Sequence, residues 1–304
     1  MKSNFKGLSL ARLCSWFGVT RQAYYQNRQC TEKEAIKAEI ILEMVRGIRT
    51  RHPRMGGRKL YSKLQDNFAE QGIKMGRDSF FDLLRDCNLL VKKRRNYHIT
   101  TNSNHWMKKY PNLIKGIEPI GPNHILVSDI TYWKAMNNHY YISFITDAFS
   151  RKIVGYHVGQ TMEAVESVAA LKMALKGLSK DATGVIHHSD RGAQYCSNAY
   201  VNVLKKRGIK ISMTENGDPL ENAIAERING IIKGEYLFQY PINSIKEAQK
   251  ILDAVVRLYN DQRPHTSLNN MTPSAVHNGE TDRKIRRLWK NYYKTTQQCN
   301  NKTI

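Results

Sequence analysis

The stretch His124-Ile125-Leu126-Val127-Ser128-Asp129-Ile130-Thr131-Tyr132-Trp133 decides the fold. Its alternation sets Ile125, Val127, Asp129, Thr131 and Trp133 on one face of a strand. Two more strand-like runs follow at 140–146 and 152–158, across gaps short enough for an antiparallel meander. A helix is expected from 163 to about 177, then a short strand at 184–189 that ends at Asp190. A helix at 198–207, a strand at 209–213 and a helix from about 220 to 237 complete the series. This order predicts an α/β domain: a mixed five-stranded sheet with helices on its faces.

Upstream of His124 the pattern changes. Residues 96–123 lack periodicity and contain Pro111, Gly116, Pro119, Gly121 and Pro122, so they read as a linker. Before them the chain reads as all helix. In residues 9–28, Leu10, Leu13 and Phe17 share one helical face, Gly18 ends it, and Thr20 starts a second short helix from Arg21 to about Asn27. A longer amphipathic helix at 33–48 carries Ile36, Ile40, Met44 and Ile48 on one stripe. After the breaker-rich Thr50-Arg51-His52-Pro53-Arg54-Met55-Gly56-Gly57, helices are expected at 58–68 and 78–87, followed by Lys92-Lys93-Arg94-Arg95. Both pairs have the outline of a helix-turn-helix DNA reader, with Arg21 and Arg58 as candidate contacts. Plain helical packing fits the same pattern, and the cation run fits either phosphate contact or a solvated loop. The expected division is a helix-turn-helix-like segment (1–34), a helical DNA-binding domain (35–95), the linker (96–123), a catalytic core (124–278) and a basic tail (279–304).

Charge supports that division. The 304 residues carry 48 Lys and Arg against 26 Asp and Glu, a formal net of +22. Residues 1–110 hold 23 cations against 9 acids, a net of +14; the rest hold 25 against 17, a net of +8. Such an excess points to a polyanionic partner, and about eight phosphate contacts would give a log–log salt slope near −7. No apolar run approaches the roughly 18–20 residues of a membrane span, and no secretory leader is expected. The five cysteines are scattered without a Cys-x-x-Cys, so neither a zinc site nor a disulfide framework is expected, and a reducing, intracellular setting is.

Three acids stand out in the core. Asp129 lies inside an apolar strand, where an ionised carboxylate is costly unless compensated. Asp190 ends a strand in His187-His188-Ser189-Asp190-Arg191-Gly192. Glu226 lies on the last helix, where Asn222, Glu226, Asn229 and Lys233 share one face and Ile224, Ile228, Ile231 and Ile232 the other. Three converging carboxylates repel unless divalent cations neutralise them, and hard oxygen donors favour Mg²⁺. On spacing alone, Asp190 also reads as a strand-end cap and Glu226 as one member of a solvated helix face.

The order of the acids adds to this. Asp129, Asp190 and Glu226, with 35 residues between the last two, resemble the D,D(35)E signature of the retroviral-integrase-like transposases of bacterial insertion sequences. Ser128-Asp129-Ile130-Thr131-Tyr132, His188-Ser189-Asp190-Arg191-Gly192 with Gln194-Tyr195, and Glu221-Asn222-Ala223 with Ala225-Glu226 and Lys233 resemble its three core motifs. Tyr259-Asn260, Arg263-Pro264-His265, Ser267-Leu268 and Thr272-Pro273 resemble its closing segment. Thr101, Ser103, His105 and Pro111-Asn112-Leu113 resemble its linker. The resemblance covers roughly residues 35–278. Glu221 stands where Asp is commoner, and the zinc-binding domain of retroviral integrases has no counterpart.

The resemblance implies an RNase H-like fold and phosphoryl transfer on DNA without a covalent protein–DNA intermediate. Asp129, Asp190 and Glu226 would hold two Mg²⁺, or Mn²⁺. Lys233 would contact a terminal DNA phosphate or base, though a solvated lysine fits too; Asn222 and His188 are candidates for supporting the metal ligands or touching DNA, and Arg263 for a DNA contact; His188 also fits an ordinary hydrogen-bonded histidine and Arg263 a brace at the sheet edge. The implied partners are the element's terminal inverted repeats, target DNA, further copies of the chain, and the product of an upstream overlapping reading frame; the implied setting is the bacterial cytoplasm, on the nucleoid. A DNA-binding repressor would need the helices but not the acids, and an RNase H-like endonuclease would cut without joining.

Overall fold

The computed structural model describes residues 9–92, 105–134, 139–179, 182–215, 222–240 and 242–280. They fall into two compact units. The first comprises the described chain up to Arg51 together with Gly56–Leu90; the second comprises His52–Met55 and the described chain from Val91 onward.

The first unit is helical, with α1 (Leu10–Trp16), α2 (Arg21–Arg51), α3 (Gly57–Glu70) and α4 (Arg77–Asp86). The Ser9 hydroxyl accepts from the Arg12 N–H at the start of α1, and the Thr20 hydroxyl accepts from the Ala23 N–H at the start of α2. The expected short helix does not stop near Asn27. It runs on as one 31-residue helix and absorbs the helix expected at 33–48. The reason is local. Residues 27–33 contain neither Gly nor Pro, Arg28 pairs with Glu32 one turn on at 2.9 Å, and the Thr31 hydroxyl donates to the Asn27 carbonyl at 2.9 Å. The buried stripe of α2 is Ile41, Leu42 and Val45. It is not the expected Ile36–Ile40–Met44–Ile48 row, whose Ile36 is 63% exposed. Leu60, Leu64 and Phe68 of α3 are buried, as are Phe80 and Leu84 of α4, and the rings of Tyr61, Phe68 and Phe80 meet one another edge-on or tilted.

The second unit is built on one five-stranded sheet. Its strands are β1 (Ile125–Lys134), β2 (His139–Asp147), β3 (Ile153–Gly159), β4 (Ile186–Ser189) and β5 (Lys210–Met213), in the order β3-β2-β1-β4-β5. The first three form the expected antiparallel meander; β4 runs parallel to β1, and β5 parallel to β4. As the central strand, β1 is covered on both faces. Leu126 and Ile130 join the core formed with α5 (Ala164–Lys176), α6 (Ala193–Cys196) and α7 (Asn198–Lys206). Ile125, Val127 and Trp133 face the other layer. That layer contains α8 (Ala223–Ile231), a π-helical turn (Ile232–Tyr236), a short 3₁₀ turn (Leu237–Gln239), α9 (Ile245–Arg257), a second π-helical turn (Leu258–Gln262), a 3₁₀ turn (Thr266–Leu268) and α10 (Pro273–His277). A meander continued by two parallel strands, with helices on both faces, is the RNase H-like arrangement. Helix α5 lies so close on β3 that a Cβ at Gly155 would sit 2.3 Å from the Ala170 carbonyl oxygen. No helix among the described residues is long and apolar enough to cross a membrane.

Candidate active site

The pairing register brings the two aspartates together. Val127 of β1 stands opposite His188 of β4. Two residues further along each chain are Asp129, midway along β1, and Asp190, just past the end of β4, so the two carboxylates come from adjacent parallel strands. Helix α8 packs across β1 and carries Glu226 toward them. The Asn222 side chain donates to the Ser128 carbonyl at 3.0 Å and the Asn229 side chain to Asp129 Oδ2 at 2.7 Å. The Ile130 N–H donates to Asp129 Oδ1 at 2.9 Å. On the other strand, the Gly192 N–H donates to Asp190 Oδ1 at 3.0 Å, closing a tight turn. A Cβ at Gly192 would lie 2.4 Å from Gln194 Nε2, so a larger residue there would displace the Gln194 side chain.

The three acids interact through their charges. Burial, followed by the charges of Asp190 and Glu226, pushes the Asp129 carboxyl up to about 8 against its two hydrogen-bond donors. Burial and Asp190 also raise Glu226, which stands exposed at the rim. With nothing but protein around it, Asp129 therefore keeps its proton at neutral pH. That is the behaviour of a carboxylate cluster short of positive charge. The donor set is oxygen only, which fits a hard divalent cation rather than zinc. Among the described residues, no group of three or more His, Cys, Asp or Glu forms a ready-made cage. Ligands from water and phosphate oxygen would have to complete the shell, as Mg²⁺ ordinarily requires.

Lys233 lies in the π turn that continues α8. Its ammonium sits 3.6 Å from the centre of the Tyr132 ring. Burial lowers its pKa while the nearby Asp129 raises it. The extra residue of the π turn is held from outside the helix. Glu235 accepts two hydrogen bonds from Arg263, at 2.6 and 2.7 Å, and the Trp133 indole donates to the Leu237 carbonyl at 3.2 Å. Beneath the site, His187 Nε2 lies 2.7 Å from the Ser128 hydroxyl and 2.9 Å from the Tyr200 hydroxyl. Burial lowers the His187 pKa to about 3, so it is neutral. Tyr195 is buried beside Asp190 and Asp129, and burial with those charges raises its pKa well above the ordinary value, so it keeps its proton.

Asp129, Asp190, Glu226 and Lys233 thus come together. Three expected DNA contacts are corrected. Asn222 is 6% exposed and engaged with β1, His188 is fully buried with Nδ1 2.8 Å from the Ser212 hydroxyl, and Arg263 is 1% exposed in its pair with Glu235. Each makes internal polar contacts that short-range sequence pattern does not reveal; Arg263 pairs with Glu235 of the π turn rather than bracing the sheet edge. Arg21, Arg58 and Lys92 are exposed. Lys93, Arg94 and Arg95, with Glu221, Thr101, Ser103 and most of the basic tail, lie outside the described residues. Asn229, on the same helix face as Glu226, has a role that its position in the sequence does not announce. Its signal was an amide three residues after Glu226, on a helix otherwise rich in isoleucine.

Residues 120–219 match the model of an integrase core domain, and residues 207–273 a second model of the same description. The chain is 35% identical over 268 residues to the insertion element IS600 uncharacterized 31 kDa protein of Shigella sonnei, covering 86% of this chain and 96% of that one. It is 29% identical to the transposase for insertion sequence element IS629 of the same organism, covering 87% and 90%. Among solved structures, the HTLV-2 integrase catalytic core domain in complex with magnesium matches with a TM-score of 0.42 and 21% identity, over 53% of this chain and 99% of that one.

Proposed function

The chain belongs to the DDE transposases of bacterial insertion sequences, and from that premise we propose how its residues do the work. The enzyme cleaves DNA and joins the freed end to new DNA. In the first step water attacks a phosphodiester, the P–O3′ bond breaks, and a 3′-hydroxyl is released. In the second that hydroxyl attacks a target phosphodiester, one P–O bond replaces another, and no external energy source is needed.

The observation that carries the site assignment is the placement of Asp129 on β1 beside Asp190 at the end of the paired strand β4, with Glu226 on α8 and Asp129 shifted to about 8 by burial and then by the charges of the other two acids. These three residues would hold two Mg²⁺ ions, or Mn²⁺. When bound, such ions supply Lewis-acid activation of the attacking oxygen and neutralise charge on the leaving oxygen. Asn229 and the Ile130 N–H fix the two oxygens of Asp129, so its lone pairs face the site in one orientation. The Gly192 N–H does the same for Asp190. Lys233, braced on Tyr132, offers its ammonium to a phosphate of the terminal nucleotides. Tyr195 and neutral His187 form a floor without mobile charge.

The proposal extends to the organisation of the protein. The basic helical segments at 1–34 and 35–95 grip DNA through Arg21, Arg58, Lys92 and the cations that follow, 96–123 links them to the core at 124–278, and the tail at 279–304 adds charge. The substrates are the element's terminal inverted repeats and a target duplex, met in the bacterial cytoplasm on the nucleoid. Two element ends must be handled together, which favours a homo-oligomer on DNA. An upstream-frame product is a further candidate partner.

The test uses a duplex from the flank of the coding region, with Mg²⁺. The wild-type chain should nick it at the element boundary, chelation should stop the reaction, and Asp190→Asn and Glu226→Gln should each lower the rate at least about 10³-fold. Undiminished cutting by Asp190→Asn would end the site assignment.

A further inference from the structure

Trp106 is 93% exposed, more than any other large apolar side chain among the described residues. The chain around it is pinned. On one side, His105 Nε2 is hydrogen-bonded to the Arg191 carbonyl at 2.8 Å. On the other, Met107 and Tyr110 pack against the core between the sheet and α5, and the Lys108 ammonium sits 5.5 Å from the Tyr110 ring centre. The backbone is anchored before and after Trp106, yet the indole is left in solvent. A buried tryptophan typically covers about 150–250 Å², so leaving it out forgoes a large apolar contact that nothing among the described residues replaces.

Its position narrows the occupant. Arg191 directly follows Asp190, so the His105 bond ties this segment to the loop that presents an active-site carboxylate. Lys108 and Lys109 follow Trp106 in sequence, and Lys109 and Arg191 lie within electrostatic reach of the same thiol, Cys196. A bare aromatic face among cations, next to a phosphoryl-transfer site, has the chemistry of a nucleic-acid stacking platform: rings for the base, cations for the phosphates.

We propose that Trp106 stacks on a nucleobase drawn out of the duplex beside the phosphate to be cut. This deepens the transposase reading and rests on it. The carboxylates stand on β1 and at the end of β4, and a phosphodiester reaches them more easily from a frayed duplex end. The indole would replace the stacking that the unpaired base loses, and would hold its nucleotide in line with Asp190.

The test compares full-length wild type, Trp106→Ala and Trp106→Phe on flank duplexes that carry a single abasic site stepped through the positions around the cut. On intact DNA, Trp106→Ala should cut about 5- to 150-fold more slowly, while Trp106→Phe keeps most of the rate. At one abasic position the difference between wild type and Trp106→Ala should vanish, because there is no base to stack. 2-Aminopurine at that position should be quenched by wild type and not by Trp106→Ala. Equal cutting by both proteins on every duplex overturns the proposal and leaves the transposase reading intact. A loss that is the same at every abasic position, or that follows dissociation of an oligomer in sedimentation, also overturns it and assigns the indole to a protein contact. A folded wild-type chain that cuts no duplex overturns both.

Discussion

The Arg263–Glu235 pair gives the sharpest single prediction about what shapes the site. Arg263 is 1% exposed and Glu235 19%, and the guanidinium donates from Nε and Nη2 to the two carboxylate oxygens at 2.7 and 2.6 Å. Burial alone lowers the guanidinium's hold on its proton, and Glu235 more than offsets that. Glu235→Gln keeps the shape but leaves a buried cation without its counter-charge. Breaking a buried pair from one side costs about 3–5 kcal/mol, and the partial exposure of Glu235 argues for about 3. In a folding unit of this size that amounts to a fall in melting temperature of about 6–12 °C. Circular dichroism melts of the full chain read it directly. Because replacing both partners by apolar residues is often near neutral, Glu235→Leu with Arg263→Met should recover most of the loss. The double variant should stay poor at DNA cutting, since the π turn holding Lys233 has lost its tie. A Glu235→Gln melt within about 2 °C of wild type, or a double variant no better than the single, would refute the reasoning.

Three further predictions follow from the geometry. Asn229→Ala removes the donor to Asp129 Oδ2 and should weaken Mn²⁺ binding about 10-fold or more by calorimetry; unchanged affinity would deny Asn229 its role. Asp129 has an ordinary value of 3.8 but a folded-state value of about 8 without metal, so the folded chain binds this proton more tightly than the unfolded one. The resulting stabilisation is complete below about 4 and lost as pH rises through about 8. In chelator, wild type should therefore lose melting temperature relative to Asp129→Asn across that window, by on the order of 10 °C. Mg²⁺ should close the gap, and a gap independent of pH would contradict the shift. Gly155→Ala drives a Cβ to 2.3 Å from the Ala170 carbonyl oxygen and 2.8 Å from the Ala174 Cβ. It should lower stability by about 1–3 kcal/mol, seen as an earlier denaturation midpoint.

The sheet was legible because its signals are local. Alternation in β1, the short gaps of the meander and the strand end at Asp190 each lie within a few residues. Asp129 stands out for a related reason, a carboxylate set between Val127 and Ile130, whereas Asp190 and Glu226 are singled out by the D,D(35)E resemblance and not by spacing alone. Where tertiary pairing decides, the sequence reading missed. Continuity of α2 through residues 27–33 depends on side-chain pairs along the helix, and its buried stripe is set by what packs against it. The π turn at Ile232–Tyr236 carries Glu235, whose partner Arg263 is 28 residues away. Asn222, His188 and Arg263 are candidate DNA contacts through the resemblance alone. Their burial against Ser128, Ser212 and Glu235 comes from long-range packing that no window of sequence displays.

The central claim is that Asp129, Asp190 and Glu226 act as one site that joins a DNA 3′-hydroxyl to new DNA. The most direct measurement is a joining reaction with a pre-cut element end, which bypasses the cleavage step, in Mg²⁺ with a plasmid target. Wild type should join an end bearing a 3′-hydroxyl and fail with a 3′-deoxy end. Asp129→Asn, Asp190→Asn and Glu226→Gln should each fail on both while still binding the DNA. Joining by any of the three variants at the wild-type rate, or joining of the 3′-deoxy end, would contradict the account.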